Sequence, residues 1–232
     1  MRQNDIPVFI PVRDRLEPLK QLLSWLTQSG HSDIWLVDNA STYPPLVEFL
    51  QKCSFSVVFT GKNLGHRAPW LSGVIQRHAS DRPYVLTDPD VVPSEECPSD
   101  AALYLLKLLQ KYPDVSKAGL GLRIDDLPRR YPLREEVMKW ESQFWRTERE
   151  AGVFEADIDT TFAVYRPYDG LQSHHPCLRT DFPYVARHLP WYQDPNDLSE
   201  EDHYYRSHAS SAISNWDRGR VAAWKERLMQ SD

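Results

Sequence analysis

Glycine is scarce in this chain, nine among 232 residues, and neither GxGxxG nor GxxxxGKS/T occurs. That excludes the usual dinucleotide and P-loop fingerprints and leaves few glycine-dependent phosphate cradles. Cysteine is scarcer still: Cys53, Cys97 and Cys177 are odd in number, far apart and without any CxxC spacing. A zinc framework and a disulfide scaffold are both disfavoured, and buried thiols in a reducing cytoplasm are expected. Positive charge is in deficit as well. A net charge of −6 gives no basic footprint, so nucleic acid is not an expected partner and any contact with anionic lipid must be local and peripheral. No apolar stretch approaches the roughly 18 residues of a membrane helix. Met1-Arg-Gln-Asn-Asp5 leads straight into Ile6-Pro-Val-Phe-Ile-Pro-Val12, with no basic start followed by an apolar run of secretory length. A cytoplasmic protein without a transmembrane segment is therefore expected.

What is present, over a length that fits one domain, is an alternation of strand and helix signals. Ile6 to Val12 reads as a strand, and Glu17-Pro18 opens a helix with Leu19, Leu22, Leu23 and Leu26 at helical spacing. Ile34 to Val37 is a second strand, Pro44 and Pro45 start a short helix, and Phe55 to Phe59 is a third strand. A helix is expected over Pro69 to His78, and a fourth strand over Tyr84 to Thr87. This alternation predicts an α/β domain with a mixed, mostly parallel sheet and helices on both faces. Further on, Ala101 to Gln110 predicts an amphipathic helix, Ala118 to Ile124 a strand, Arg134 to Glu150 a charged helix and Thr161 to Tyr165 a strand. Arg166 to Asp197 reads as irregular.

In an open parallel sheet, ligands gather at the carboxyl ends of the strands. The residues that follow the four strands are Pro11-Val-Arg13-Asp14, Asp38-Asn39-Ala-Ser41, Asn63-Leu-Gly65-His-Arg67 and Asp88-Pro-Asp90. Two carboxylates one residue apart at a strand end suit a hard divalent cation shared with phosphate oxygens.

In these segments the chain resembles the GT-A glycosyltransferases, especially those like family 2. The resemblance rests on Ile10-Pro-Val-Arg-Asp-Arg15, Val37-Asp-Asn-Ala-Ser-Thr42, Asn63-Leu-Gly65 and Thr87-Asp-Pro-Asp90, in that order and spacing, and covers about residues 6 to 93. It implies one GT-A domain over residues 1–232, with a nucleotide-sugar-binding half to about residue 98 and an acceptor-binding half beyond. Pro11, Arg13, Asp38 and Asn39 would line the nucleoside pocket, joined by Asn63, with Arg67 at the diphosphate. Asp88 would approach ribose and metal, and Asp90 would ligate Mn²⁺ or Mg²⁺. The expected donor is a nucleoside-diphosphate sugar, with UDP-sugars favoured, and the acceptor a hydroxyl of a carbohydrate or glycolipid, with inversion at the anomeric carbon.

The second half must supply the catalytic base and a further metal ligand. The resemblance points to Glu155-Ala-Asp157-Ile-Asp159, with Asp159 as base and Asp157 beside it, and to His188 as the metal's histidine. Two rivals stay open at this point. One places the base in Ser199-Glu-Glu-Asp202 and the ligand at His203 or His208, although Ser199 followed by three acids also reads as a helix N-terminus. His174 and His175 read as surface histidines. The other rival takes Asp88-Pro-Asp90-Val91 as part of the DxDxT/V pattern of haloacid-dehalogenase-like phosphatases, with Asp88 as nucleophile and Asp125-Asp126 as the acidic pair. A non-catalytic sugar-nucleotide-binding module is a third possibility.

Overall fold

Strands rich in β-branched and aromatic residues alternate here with amphipathic helices that Pro or acidic residues open. The computed structural model describes residues 2–158, 161–168 and 176–208. The strands are β1 (Val8–Val12), β2 (Ile34–Asp38), β3 (Ser56–Phe59), β4 (Tyr84–Leu86), β5 (Val91–Pro93), β6 (Lys117–Leu122), β7 (Glu148–Glu150), β8 (Val153–Glu155), β9 (Ala163–Tyr165) and β10 (Cys177–His188). The helices are α1 (Glu17–Gln28), α2 (Pro44–Lys52), α3 (Ala68–Leu71), α4 (Val74–His78), α5 (Ala101–Lys111), α6 (Arg134–Ser142) and α7 (Glu200–His208).

All ten strands join one sheet in the order β3-β2-β1-β4-β9-β6-β10-β8-β7, with β5 paired to β10. The first four run parallel, β9 is antiparallel to both β4 and β6, and β10 is parallel to β6. Alternate residues of β1 face opposite layers. Val8, Ile10 and Val12 pack with the leucines of α1, α2 and α5, whereas Phe9 packs with Val37, Leu86 and the α3–α4 residues Ala68, Val74 and Ile75. Helices thus cover both faces, as the alternating pattern predicts.

The chain winds outward from β1 through β2 to β3 and then returns to place β4 on the other side of β1. Strand order reverses between β1 and β4, which is where open α/β sheets hold their ligands. The two strands pair only at Val8↔Val85 and Phe9↔Leu86. Beyond that point Pro11 has no amide to offer a neighbour, so the sheet opens between them.

Three sequence expectations are corrected. The helix expected over 69–78 is broken into α3 and α4 by Gly73, whose φ of +74° is a left-handed conformation suited to glycine. The helix expected over 134–150 ends at Ser142, because the aromatic pair that follows leaves the helical path. Phe144 lies under the Arg179 guanidinium, 3.9 Å from the ring centroid, and Trp145 packs edge-on to Phe154 and over Gly121, where a Cβ would meet the ring. Arg149 then fixes β7 with ion pairs to Asp114 and Glu155. The stretch 166–197, expected to be irregular, contains β10, twelve residues long and paired to three strands. Its Arg179 is buried against Glu141 at 2.9 Å and donates from Nε to Asp157 O, so the charge is paired inside the fold.

Candidate functional site

The parallel strands deliver the predicted residues to one edge, and their side chains bind one another there. Asn39, 6% exposed, is the hub. Its Oδ1 accepts Leu64 N–H at 2.6 Å, and its Nδ2 donates to Asn63 Oδ1 at 2.8 Å and Gly65 O at 3.1 Å. Its backbone carbonyl accepts Arg13 Nη1 at 3.3 Å. The segments after β1, β2 and β3 are thereby tied together. Asp38 is buried beside Asn39 and its Oδ1 accepts Ser41 N–H at 3.1 Å, closing the turn. Arg67 lies in a short 3₁₀ turn ahead of α3 and is exposed. Pro11 is buried in β1 opposite Val37.

Backbone strain marks the same edge. Among non-glycine described residues, Asp14 and Ala40 have positive φ, 52° and 58°, directly after β1 and β2. The buried Asp14 carboxylate accepts the amides of Thr42 at 2.6 Å and Tyr43 at 2.8 Å, capping α2 from another segment because Tyr43 at the cap position has no side-chain acceptor suited to the task. Nothing in the sequence alone gives Asp14 a role of its own. Its only signal was an acid one strand away from a helix that starts without a local cap.

On the other side of the opening, β4 ends in the turn Asp88-Pro89-Asp90 and the chain turns back into β5. Asp88 is half-buried, and its carbonyl accepts Val91 N–H and Thr87 Oγ1. β5 pairs antiparallel with the end of β10, His188 opposite Val91, and Leu189 N–H donates to Asp90 O at 2.9 Å. This brings His188 Nε2 to 3.8 Å from Asp90 Oδ2, with both side chains partly exposed. Trp191 packs edge-on to the His188 ring at 4.8 Å and is itself 2% exposed. The pairing of a strand-end acid with a histidine nearly a hundred residues later is therefore built into the sheet. No group of three or more His, Cys, Asp or Glu suited to a metal forms among the described residues. Asp90 and His188 fit a divalent ion as a two-residue donor set, to be completed by ligand oxygens and water.

The acidic segment after β8 is placed differently. Asp159 lies outside the described residues, as do His174 and His175. Asp157 is exposed, and Ala156 N–H donates to Cys177 O at the start of β10, so Asp157 is not gathered with Asp90 and His188 at its end. Arg179 and Lys117 hold the carbonyls of Asp157 and Ile158, at 2.7 and 2.6 Å. The chain next reaches β9, where Ala163 pairs with Leu86. Because β9 is antiparallel to β4, Thr161 and Phe162 arrive at the edge where β4 ends.

The rival residues have structural partners. Ser199 caps α7 reciprocally with Asp202, and Glu201, 5% exposed, accepts the amides of Leu16 and Glu17 at 2.8 and 3.1 Å. Asp126 is held by Arg187 at 2.7 Å and by the Tyr192 hydroxyl at 2.5 Å. Burial works to raise its carboxyl, yet the hydrogen bonds from Tyr192 and Arg187 outweigh it and hold Asp126 below the usual carboxylate range. Burial, followed by the bond to Asp126, pushes the Tyr192 phenol up. Asp126 is thus committed to an ion-pair network, which gives the phosphatase arrangement no support.

No protein-family description matches the chain, and no curated protein matches it in sequence. Similar solved structures include a glucosyl-3-phosphoglycerate synthase from Mycobacterium tuberculosis, at 10% identity and TM-score 0.43, covering 69% of this chain and 56% of that one. A UDP-glucose pyrophosphorylase from Acinetobacter baumanii is similar at 9% identity and TM-score 0.49 over 98% of this chain and 99% of its own. An apo UDP-glucose pyrophosphorylase is similar at 11% identity and TM-score 0.45 over 88% of this chain and 100% of its own. Against the synthase the chain spans little more than half of the other protein's length. At these identities and scores the likenesses assign no residue, and the architecture is carried by the strand order itself. No helix among the described residues is long and apolar enough to cross a membrane.

Proposed function

We propose that the chain is a glycosyltransferase that moves a sugar from a nucleoside-diphosphate donor, UDP-sugars favoured, to a hydroxyl of a carbohydrate or glycolipid acceptor, with inversion. The observation that carries this reading is the Asp90–His188 pair, 3.8 Å apart at the strand-end edge next to the opening between β1 and β4. Asp38 and Asn39 bind the nucleoside, with the free edge of the Asp38 carboxylate accepting from the base and Arg13 and Asn63 keeping that wall in shape. Arg67 reaches the diphosphate and Asp88 the ribose. Asp90 and His188 would hold Mn²⁺ or Mg²⁺, with Asp88 close by, and a bound ion would supply stabilisation of the charge on the departing diphosphate. Asp159, two residues before Thr161 in the sequence, takes the acceptor proton. Asp157 serves as its neighbour in the acidic segment. The protein acts in the cytoplasm, with peripheral contact to a membrane where the acceptor is a glycolipid.

The test is calorimetric titration of UDP with and without Mn²⁺ on the wild type and Asp90→Ala. Asp90 sits in a turn with a partly exposed side chain, so the variant is expected to fold, to bind UDP as the wild type does without metal, and to lose the gain from Mn²⁺. Equal Mn²⁺-dependent affinity in the two proteins rejects the metal assignment.

A further inference from the structure

The two sides of the proposed site are carried by segments far apart in sequence, the loop after β1 and the segment after β10. One buried carboxylate outside that site touches both. Asp202, 7% exposed in the first turn of α7, accepts Arg15 Nη1 at 3.3 Å and Gln193 Nε2 at 2.6 Å, both on Oδ1. Its Oδ2 accepts Ser199 N–H at 3.1 Å and Ser199 Oγ at 2.6 Å. Arg15 follows Arg13 and the strained Asp14 and is itself 2% exposed, its guanidinium 3.9 Å over the Tyr205 ring. Gln193 lies five residues after His188, past the short turn Leu189–Tyr192 that begins with the Leu189–Asp90 bond.

We propose that Asp202 is a positioning residue for the donor site: through Arg15 and Gln193 it fixes the nucleoside side of the opening relative to the His188 side. This rests on the donor-site reading given above. A helix cap alone explains only the Oδ2 bonds. The Oδ1 atom is spent on two side chains from opposite sides of the opening, and a buried carboxylate with four donors holds one geometry. An ion shared by Asp90, His188 and a bound diphosphate requires that geometry. Nucleoside contacts made by the β1 and β2 segments alone do not.

Asp202→Ala would remove a buried charged partner of Arg15 and invites misfolding. Gln193→Leu is the sharper probe, because it cuts only the tie to the His188 side. It also removes the Gln193 Oε1 atom, which is buried without a hydrogen-bond partner among the described residues. The melting temperature should therefore stay within about 4 °C of wild type, the shift about 1 kcal/mol produces in a chain of this size. UDP titrations on the full chain should show metal-free affinity unchanged and the Mn²⁺ gain cut by about tenfold, within the usual range of coupling between sites. Hydrogen exchange in the metal-free protein should quicken at the Leu189 amide. A full Mn²⁺ gain in Gln193→Leu, or unchanged exchange at Leu189, overturns the proposal. If the wild type itself shows no Mn²⁺ gain, the donor-site reading falls, and exchange at Leu189 still decides whether Asp202 holds that segment.

Discussion

Removing the Asn39 side chain tests the hub of the site most directly. Asn39→Ala deletes three hydrogen bonds made by a residue 6% exposed, to Leu64 N, Asn63 Oδ1 and Gly65 O. At a net worth of about 0.5–1.5 kcal/mol each, the loss should be about 2–4 kcal/mol. Asn39→Asp is the informative companion because it keeps the shape. Its retained oxygen still accepts Leu64 N–H, but the new oxygen faces Asn63 Oδ1 and Gly65 O, which stood 2.8 and 3.1 Å from a donor. Acceptor now opposes acceptor in a poorly solvated place, so the isosteric change should destabilise the fold at neutral pH. Stability relative to wild type should recover on acidification, since protonation restores a donor. Urea unfolding supplies the free energies, and exchange of the Leu64 amide reports whether the 63–65 loop has come loose. If Asn39→Ala shifts stability by less than about 0.5 kcal/mol, the scale of an ordinary surface change, and Leu64 exchanges as in wild type, Asn39 is not the hub.

Asp38→Asn should weaken metal-free UDP binding by about ten- to a hundredfold, the worth of one hydrogen bond to a charged group. The amide oxygen can keep the Ser41 bond while the other atom turns from acceptor to donor; unchanged affinity would remove Asp38 from base recognition. Burial holds the His31 imidazole down at about 4 from 6.5, so its contribution is full above pH 6.5 and lost as pH falls toward 4. His31→Gln should flatten this acid-side slope of stability, worth up to about 3 kcal/mol, and an unaltered slope would assign the acid sensitivity elsewhere.

The first half of the fold was legible because each element carries its own boundary signals. Glu17-Pro18 and Pro44-Pro45 open helices, and the apolar strand runs stop just before Arg13, Asp38 and Asp88. The edge that gathers the segments after β1, β2 and β3 followed from those strand ends and from the parallel order alone. What sequence could not show lies in tertiary pairing. β10 contains Arg179, Asp181 and Arg187 and has no clean alternation, since its buried arginine is neutralised by Glu141 on α6. Trp140 and Phe144 fitted a helical stripe, yet the chain turns at Gln143 so that Phe144 meets Arg179 and Trp145 covers Gly121. Asp14 reads as an ordinary acid, and Glu201 and Asp202 as the acids of a helix start or a rival base, whereas their roles arise from partners 28, 185 and 187 residues away. His188 was recoverable only through the resemblance, because its position beside Asp90 depends on an antiparallel pairing that no local pattern encodes.

Glu201 decides between two readings of the second half. Its Oε2 accepts Leu16 N–H at 2.8 Å and Glu17 N–H at 3.1 Å, while Pro18 has no amide to satisfy. The carboxylate caps α1 across 185 residues and sits where the helix dipole favours negative charge. Burial nevertheless raises its carboxyl above the ordinary 4.5, against the lowering effects of the Leu16 and Glu17 amides and of Arg15. A raised folded-state value means that the stability linked to this proton is full below 4.5 and is lost as pH rises through the folded value. Glu201→Gln keeps an acceptor at the Oε2 position and has no proton to lose. It should fold with stability within about 1 kcal/mol of wild type and without this alkaline-side loss. Glu201→Ala leaves two buried amides unsatisfied and should cost about 2–5 kcal/mol. The decisive comparison is turnover on a UDP-sugar, because a general base replaced by its amide loses about 10² to 10⁴ in rate. A cap predicts that Glu201→Gln turns over as wild type does. A collapse of turnover with UDP affinity and stability preserved would place the base at Glu201, and Asp159 would lose its role.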